Sequence, residues 1–279
     1  MIRVHSETKC TLGEGAFWHP KRNQFFWFDI LGKSLRTVVE GDEQHWQFDE
    51  CVSAAGWIDH DTILMASQTG LWRFNLETAA RKLITPLEAD NPVTRSNDGR
   101  ADPQGGFWIG TMGFNAEKGA GSIYRFYRGE LRILFSDITI TNSICFAPDG
   151  KTAYFTDTVV GVIMAQPLDA DGWPVGDAVP FVDVSGADFG ADGSVVDADG
   201  KLWNAQWGAG RVACYGADGA LIKTVDVPTP QTSCPAFGGA DLTDLYVTTA
   251  AEGIDDPNAG KTYVISSVGK GQTEHQIIL

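Results

Sequence analysis

Six short stretches of β type recur along the chain in one register, and each opens on a polar residue. They run Glu14–Trp18, Ser53–Trp57, Asn97–Ala101, Asn142–Phe146, Asp192–Val196 and Ser233–Phe237. Successive openings lie 39, 44, 45, 50 and 41 residues apart. A strand-built unit of that length cannot bury its apolar faces alone, whereas a ring of such units can, so the spacing predicts an all-β, six-bladed β-propeller. Around a propeller axis the openings Glu14, Asn97, Asn142 and Asp192, with their carboxylate and amide oxygens, would point at one another.

The rest of each unit fits this reading. Apolar second stretches are expected at Phe25–Ile30, Ile63–Ser67, Phe107–Thr111, Ala153–Thr156, Leu202–Gln206 and Leu245–Thr249, rich in β-branched and aromatic residues. Turn segments such as Ala147-Pro-Asp-Gly150 and Asp197-Ala-Asp-Gly200 separate first from second stretches. There Gly accepts positive φ and Asp tolerates the left-handed region. No sustained helical periodicity and no low-complexity linker interrupts the pattern, so residues 1–279 read as one domain. Both terminal segments, Ile2–His5 and Gln276–Leu279, are β-competent, and one of them is expected to complete the last blade and remove its exposed edge. The loops after the second strands return to the face where the inner strands open. They should bring Asp29, Gln68, the Met112–Glu117 loop, Asp157, Gln206–Trp207 and Thr249 around the ring.

Charge excludes several function classes. With 21 Lys and Arg against 36 Asp and Glu, the formal charge is −15. Nucleic acids and anionic membrane surfaces demand basic patches, so neither is an expected partner. No apolar run approaches a membrane span and Met1–Lys9 has no signal-like apolar segment. The five cysteines show no paired spacing and sit mostly among apolar neighbours, as buried free thiols do in a cytoplasmic protein. A closed ring needs no obligate protein partner for its core.

Two carboxylates and two amides converging at a channel mouth are costly to desolvate unless a cation compensates them. Glu14 and Asp192 would neutralise one divalent ion while the Asn142 carbonyl and waters fill its remaining positions. An all-oxygen set suits Ca²⁺ first, Mg²⁺ and Mn²⁺ next, and admits Fe²⁺ or Zn²⁺. Such a metal polarises a carbonyl and activates water, and Asp192 could serve as general base. Arg95, two residues before Asn97 and on the same side of an extended segment, could bind substrate oxygens. No His occupies an opening and no Gly-x-Ser-x-Gly elbow occurs, which argues against a Ser–His–Asp hydrolase. Ser53 and Ser233 read as channel lining. Asp98, Asp149, Asp171, Asp199 and Asp218, each followed by Gly, read as turn residues. Glu117 lies in a polar loop where a solvated charge is the ordinary expectation. Trp207 reads equally well as a sugar-stacking platform and as packing between blades.

At these residues the sequence resembles the regucalcin/gluconolactonase family of six-bladed propellers. The motifs are Leu12-Gly-Glu-Gly15 with Trp18, Arg95-Ser-Asn-Asp-Gly99, Ile140-Thr-Asn142 with Ala147-Pro-Asp-Gly150, and Asp192-Gly193 with Asp199-Gly-Lys-Leu-Trp203. Thr232-Ser-Cys234, Phe237-Gly-Gly239 and Leu245-Tyr-Val-Thr-Thr249 complete the set. The resemblance spans essentially the whole chain. It implies a central divalent metal held by Glu14, Asn142 and Asp192, with Asp192 as base. It also implies substrate contacts from Arg95, Asn97 and Glu117, the last carried only by its distance from Gly121-Ser-Ile-Tyr124. The expected activity is hydrolysis of a small sugar lactone, typically an aldonolactone, in sugar-acid catabolism. An aryl esterase or phosphotriesterase using the same site, and a non-catalytic scaffold using a propeller face, are the alternatives.

Overall fold

The computed structural model describes Met1–Leu279 and contains six four-stranded antiparallel sheets. The chain is a six-bladed β-propeller. Its innermost strands are Gly13–His19, Val52–Trp57, Thr94–Ala101, Thr141–Phe146, Gly190–Val196 and Thr232–Gly238. The second strands fall within two residues of expectation, from Gln24–Asp29 in the first blade to Asp244–Thr249 in the sixth. The N-terminal segment closes the ring: Ile2–Ser6 pairs with Thr262–Ile265 as the outermost strand of the sixth blade. A sheet that begins with one end of the chain and finishes with the other ties first blade to last and removes an edge.

Six apolar clusters hold the sheets together, one between each pair of neighbouring blades. Each contains at least two aromatic side chains among its aliphatic ones. Phe17, Phe26, Phe28 and Phe74 fill the first interface, and Trp203, Phe237 and Tyr263 the fifth. Large flat side chains suit this fold because twisted sheets meeting at an angle leave a wedge that small residues would not fill. All five cysteines are free and buried.

All six inner strands depart from regular pairing at the openings. The register shifts between Glu14 and Phe17, Val52 and Ala54, Ser96 and Gly99, Asn142 and Cys145, Ala191 and Ser194, and Thr232 and Pro235. Such irregularities bend a strand and re-aim its side chains. Two bends need the left-handed region. Gly15 has φ +58°, and a Cβ there would lie 2.0 Å from the Ser53 carbonyl oxygen. Ser143 has φ +61° despite its side chain; its hydroxyl donates to the Asp192 carbonyl at 2.6 Å, which helps hold the unfavourable backbone. Similar bonds run round the axis: Ser53 Oγ donates to Ser96 Oγ at 2.8 Å, and Ser233 Oγ to the Gly13 carbonyl at 2.5 Å. The two opening serines thus link blades, as channel lining should.

The C-terminal segment, the other candidate for closing the ring, forms no strand. It crosses the opposite end of the channel as a strap. Gln272 donates to the carbonyls of Phe146 and Val196, the Trp57 indole donates to the Glu274 carbonyl, and the Ile278 N–H donates to the Gly105 carbonyl. Ile277 is buried in the cluster between the second and third blades. The Glu274 carboxylate is paired with Arg100, which projects from the third inner strand.

At the end of the first inner strand His19 is fully buried, with Nε2 3.0 Å from the Asp59 carbonyl and Nδ1 accepting from the Arg22 N–H at 3.3 Å. Those contacts suit the neutral ring. Burial, reinforced by the Arg22 and His60 charges against the opposing pull of the Asp59 carbonyl, pushes its pKa down to about 4. His5, edge-on to Phe25, Trp27 and Tyr246, is likewise held down at about 4, mainly by burial. Above pH 6.5 both rings are neutral folded and unfolded. Between about pH 6.5 and 4 the unfolded chain takes up protons that the folded chain refuses, so stability falls as pH falls. The buried carboxyls Glu14, Asp98 and Asp192 act with the opposite sign over this range, so the histidine contribution is read from the difference between wild type and His19→Gln in thermal melts from pH 7 to 4.5, where the variant should gain about 1–3 kcal/mol relative to wild type as pH falls. A difference between variant and wild type that does not change with pH would exclude His19 as a source.

Candidate active site

The bends of the inner strands gather the openings at one mouth of the channel. Glu14, Asn97, Asn142 and Asp192, all at most 6% exposed, line a single cavity of about 230 Å³ together with Arg95. A larger hollow of about 550 Å³ lies between the first two blades beside Trp46, Phe48 and Phe74, but no buried charges converge there. Convergent buried polar groups, rather than volume, mark the channel mouth as the candidate site.

Three of the positions two residues before the openings form part of the cavity wall. Leu12 precedes Glu14, Arg95 precedes Asn97, and Ile140 precedes Asn142, and all three line the cavity. Arg95 is thus a cation where the first and fourth repeats place aliphatic side chains. Its Nη1 donates to Asn97 Oδ1 at 2.7 Å and to the Ser96 carbonyl at 3.0 Å, and its buried Nε has no protein partner. Burial lowers its pKa, against the opposing pull of Cys51, Glu14, Glu252 and Asp192. Asn97 passes the contact on, donating to the Thr141 carbonyl at 2.9 Å and to Asn142 Oδ1 at 3.2 Å. Asn142 donates through Nδ2 to Thr158 Oγ1 at 2.9 Å, and the Thr158 hydroxyl donates onward to the Ala191 carbonyl. Because that hydroxyl proton is committed, Thr158 can only accept from Asn142, which orients the Asn142 amide oxygen toward Asn97.

The Glu14 and Asp192 carboxyls lie within hydrogen-bonding reach of each other. Burial and the nearby Asp98 charge push the Glu14 pKa up to about 8, although the Gly15 N–H and Arg95 favour its anion. Asp192 is raised well above the usual carboxylate range, first by burial and then by Glu14 and Asp98. Two buried acids this close cannot both ionise without a compensating positive charge. Glu14, Asn142 and Asp192 are the oxygen donors that could hold a cation. Nowhere in the chain do three His, Cys, Asp or Glu side chains gather as a metal-ligating group, so the candidate set is two carboxylates and an amide.

Several residues take other places than the sequence suggested. Asp98, read as a turn residue, lies buried in the third inner strand and accepts from the Ile144 N–H at 2.7 Å, with its pKa raised to about 6 mainly by burial. Its position directly after Asn97 in a repeat opening was the available signal. Asp29 and Asp157, expected around the ring, instead anchor loops: Asp29 accepts from the Thr11 and Leu12 N–H groups, and Asp157 from those of Thr139 and Ile140. They thereby seat Leu12 and Ile140 in the wall. The Glu117 carboxylate is bonded within its own loop, accepting from the Asn115 N–H at 3.0 Å and its side-chain amide at 2.9 Å, which lower its pKa. It does not line the cavity, whereas Met112 at the start of that loop does, as does Trp207. Thr158 and Glu252 also line it and were missed. Each follows shortly after a second strand, on the side to which those loops return.

Residues 12–251 match the model of the SMP-30/Gluconolactonase/LRE-like region. The chain belongs to this family. Among family relatives, the L-arabinolactonase of Azospirillum brasilense is 38% identical, the match covering 97% of this chain and 91% of the relative. The pentonolactonase of Haloferax volcanii is 33% identical, with 91% and 87% covered. A solved structure of a calcium-binding protein, regucalcin, from Agrobacterium tumefaciens is 44% identical and superposes with a TM-score of 0.98, covering 100% of this chain and 98% of that one. The residues carrying the SMP-30/gluconolactonase resemblance at the openings are those that the propeller brings to one mouth.

Proposed function

We propose that this protein is a divalent-metal-dependent hydrolase that opens a sugar lactone, typically an aldonolactone, to its sugar acid. The observation that carries the reading is the convergence of two buried carboxyls and an oriented amide oxygen beside a buried arginine in one cavity. The donor set fits a hard divalent cation. Glu14 and Asp192 have two negative charges to offer, and Asn142, whose NH₂ is committed to Thr158, adds an amide oxygen to the same cavity. A cation between the carboxyls also removes the reason they resist ionisation. The relatives named as lactonases and the calcium-binding regucalcin support the same reading, with Ca²⁺ as the first candidate.

The cation, when bound, supplies Lewis acidity to the lactone carbonyl. Asp192 takes a proton from the water that adds to the carbonyl carbon. The ring C–O bond breaks, the former ring oxygen leaves as a hydroxyl with the proton that Asp192 took from the water, and the acid formed ionises to its carboxylate, releasing its proton to solvent. Arg95, with donor capacity beyond its bonds to Ser96 and Asn97, holds substrate oxygens and developing negative charge. Asn97 acts from beside it, fixing both Arg95 and Asn142.

Purified protein should release acid from a panel of D-glucono-, D-galactono-, D-xylono- and L-arabinono-lactones, lose that activity in chelator, and regain it with Ca²⁺, Mg²⁺, Mn²⁺ or Zn²⁺. Absence of metal-dependent acid release across the panel would remove the proposal. One observation favours a second activity at the same site: Leu12, Met112, Ile140 and Trp207 give the cavity apolar walls that could receive an aryl group. The ratio of lactone to aryl-ester turnover measures how far that activity is realised.

A further inference from the structure

The cavity described above is lined by three carboxylates, Glu14, Asp192 and Glu252, and by one cationic side chain, Arg95. Glu14 and Asp192 are buried at the floor and face each other. Glu252 differs in every respect. It is exposed, it follows the second strand of the sixth blade, and its carboxylate has no hydrogen bond or ion pair within the protein. Its backbone, in contrast, is held. The Glu252 carbonyl accepts from the Gln231 side chain at 2.8 Å, and the Ala251 N–H donates to the Thr11 carbonyl at 3.1 Å. The same stretch bridges Leu12 through Ala250. A free, exposed carboxylate on an anchored backbone thus keeps a negative charge in the lining of the cavity.

Resting on the lactonase reading, we propose that Glu252 is a specificity-determining residue that makes the mouth a charge filter, admitting neutral lactones and disfavouring lactones that carry a further anionic group. A divalent cation at the floor would balance Glu14 and Asp192, and Glu252 would then offset the Arg95 charge that otherwise draws anions into the cavity. The same charge acts on the way out, because hydrolysis converts a neutral substrate into a sugar-acid anion. The repulsion is partly screened at an exposed position, so the expected effect is modest, about three- to tenfold.

The test compares kcat/KM for D-galactono-1,4-lactone with that for D-glucaro-1,4-lactone, which carries a carboxylate at C6, in metal-loaded wild type, Glu252→Gln and Glu252→Lys. The readout is the anionic-to-neutral ratio, in which a general loss of activity cancels. It should rise about three- to tenfold in Glu252→Gln and further in Glu252→Lys. In wild type it should also rise with ionic strength, more steeply than in Glu252→Gln. Inhibition by the free sugar acid should strengthen in the same order. If wild type opens the neutral lactone but neither substitution moves the ratio, the filter is wrong and the lactonase reading survives. If no lactone is opened with any divalent ion, both fall.

Discussion

Asp192→Ala is expected to lower kcat/KM for lactone hydrolysis by roughly 10²–10⁴-fold or more, because one side chain is assigned both a cation contact and the base. Asp192→Asn separates these roles. It keeps a carbonyl oxygen for the cation but cannot take a proton, so kcat should collapse at saturating metal. Stability gives an independent readout with a change of sign. In chelator, Asp192→Asn should melt higher than wild type, since it removes one of two buried acids that oppose each other. With metal the order should reverse. A cation at about 100 times its Kd stabilises wild type by about 2.7 kcal/mol, and a variant that binds it weakly gains less. Metal-independent melting in wild type and variant alike would mean that Glu14, Asn142 and Asp192 do not share an ion.

Glu274→Ala should cost about 3–5 kcal/mol of stability, although Glu274 lies at the opposite end of the channel from the candidate site. The Arg100 and Glu274 side chains are 9% and 12% exposed, and the glutamate comes from the strap, not from a blade. Removing it leaves the Arg100 guanidinium in the channel with the distant carbonyls of Ser194 and Pro235, each at 3.4 Å, and no hydrogen-bonded carboxylate, the Asp98 charge acting only from nearby. At about 2–4 °C per kcal/mol for a chain of roughly this size, the melting temperature should fall by roughly 10 °C. Arg100→Met/Glu274→Met should recover much of the loss, because the penalty comes from an unpaired buried charge rather than from the missing bond itself. A single variant melting within a degree or two of wild type would show that the strap carries little of the fold. Asp98 gives a second check. It lies near Arg100, which favours its ionised form, so a displaced strap should also perturb the floor of the site.

The fold was legible because each blade repeats the same local problem. Polar openings, Asp-Gly turns and apolar second stretches recur at 39 to 50 residues, and strands are short enough for local pattern to set them. The convergence at the candidate site was legible for a related reason: Glu14, Asn97, Asn142 and Asp192 share one register, and a ring superposes equal registers in space. Arg95 followed from alternation, and Leu12 and Ile140 occupy its position in other repeats. Legibility ended where a side chain's role depends on what faces it. Asp98 looks like any Asp before Gly until the strand bend turns it into the channel. Glu117 has the spacing for a site residue, yet its carboxylate is held by Asn115 a bond away. Asp29 and Asp157 end strands at the right face, but the N–H groups of their own blades capture them.

The amino-acid order alone determined a closed ring of six β units and the identity of the oxygen-bearing groups at its axis, because repetition and alternation are properties of a line. Tertiary structure decided which end of the chain supplies the closing strand, which carboxylates are left facing the cavity, and where the strap places Glu274 against Arg100. Those outcomes turn on pairings between residues 12 and 250, 57 and 277, or 100 and 274. No local preference encodes such pairings. They are chosen by which buried charge or backbone group would otherwise be left without a partner once the whole ring has closed.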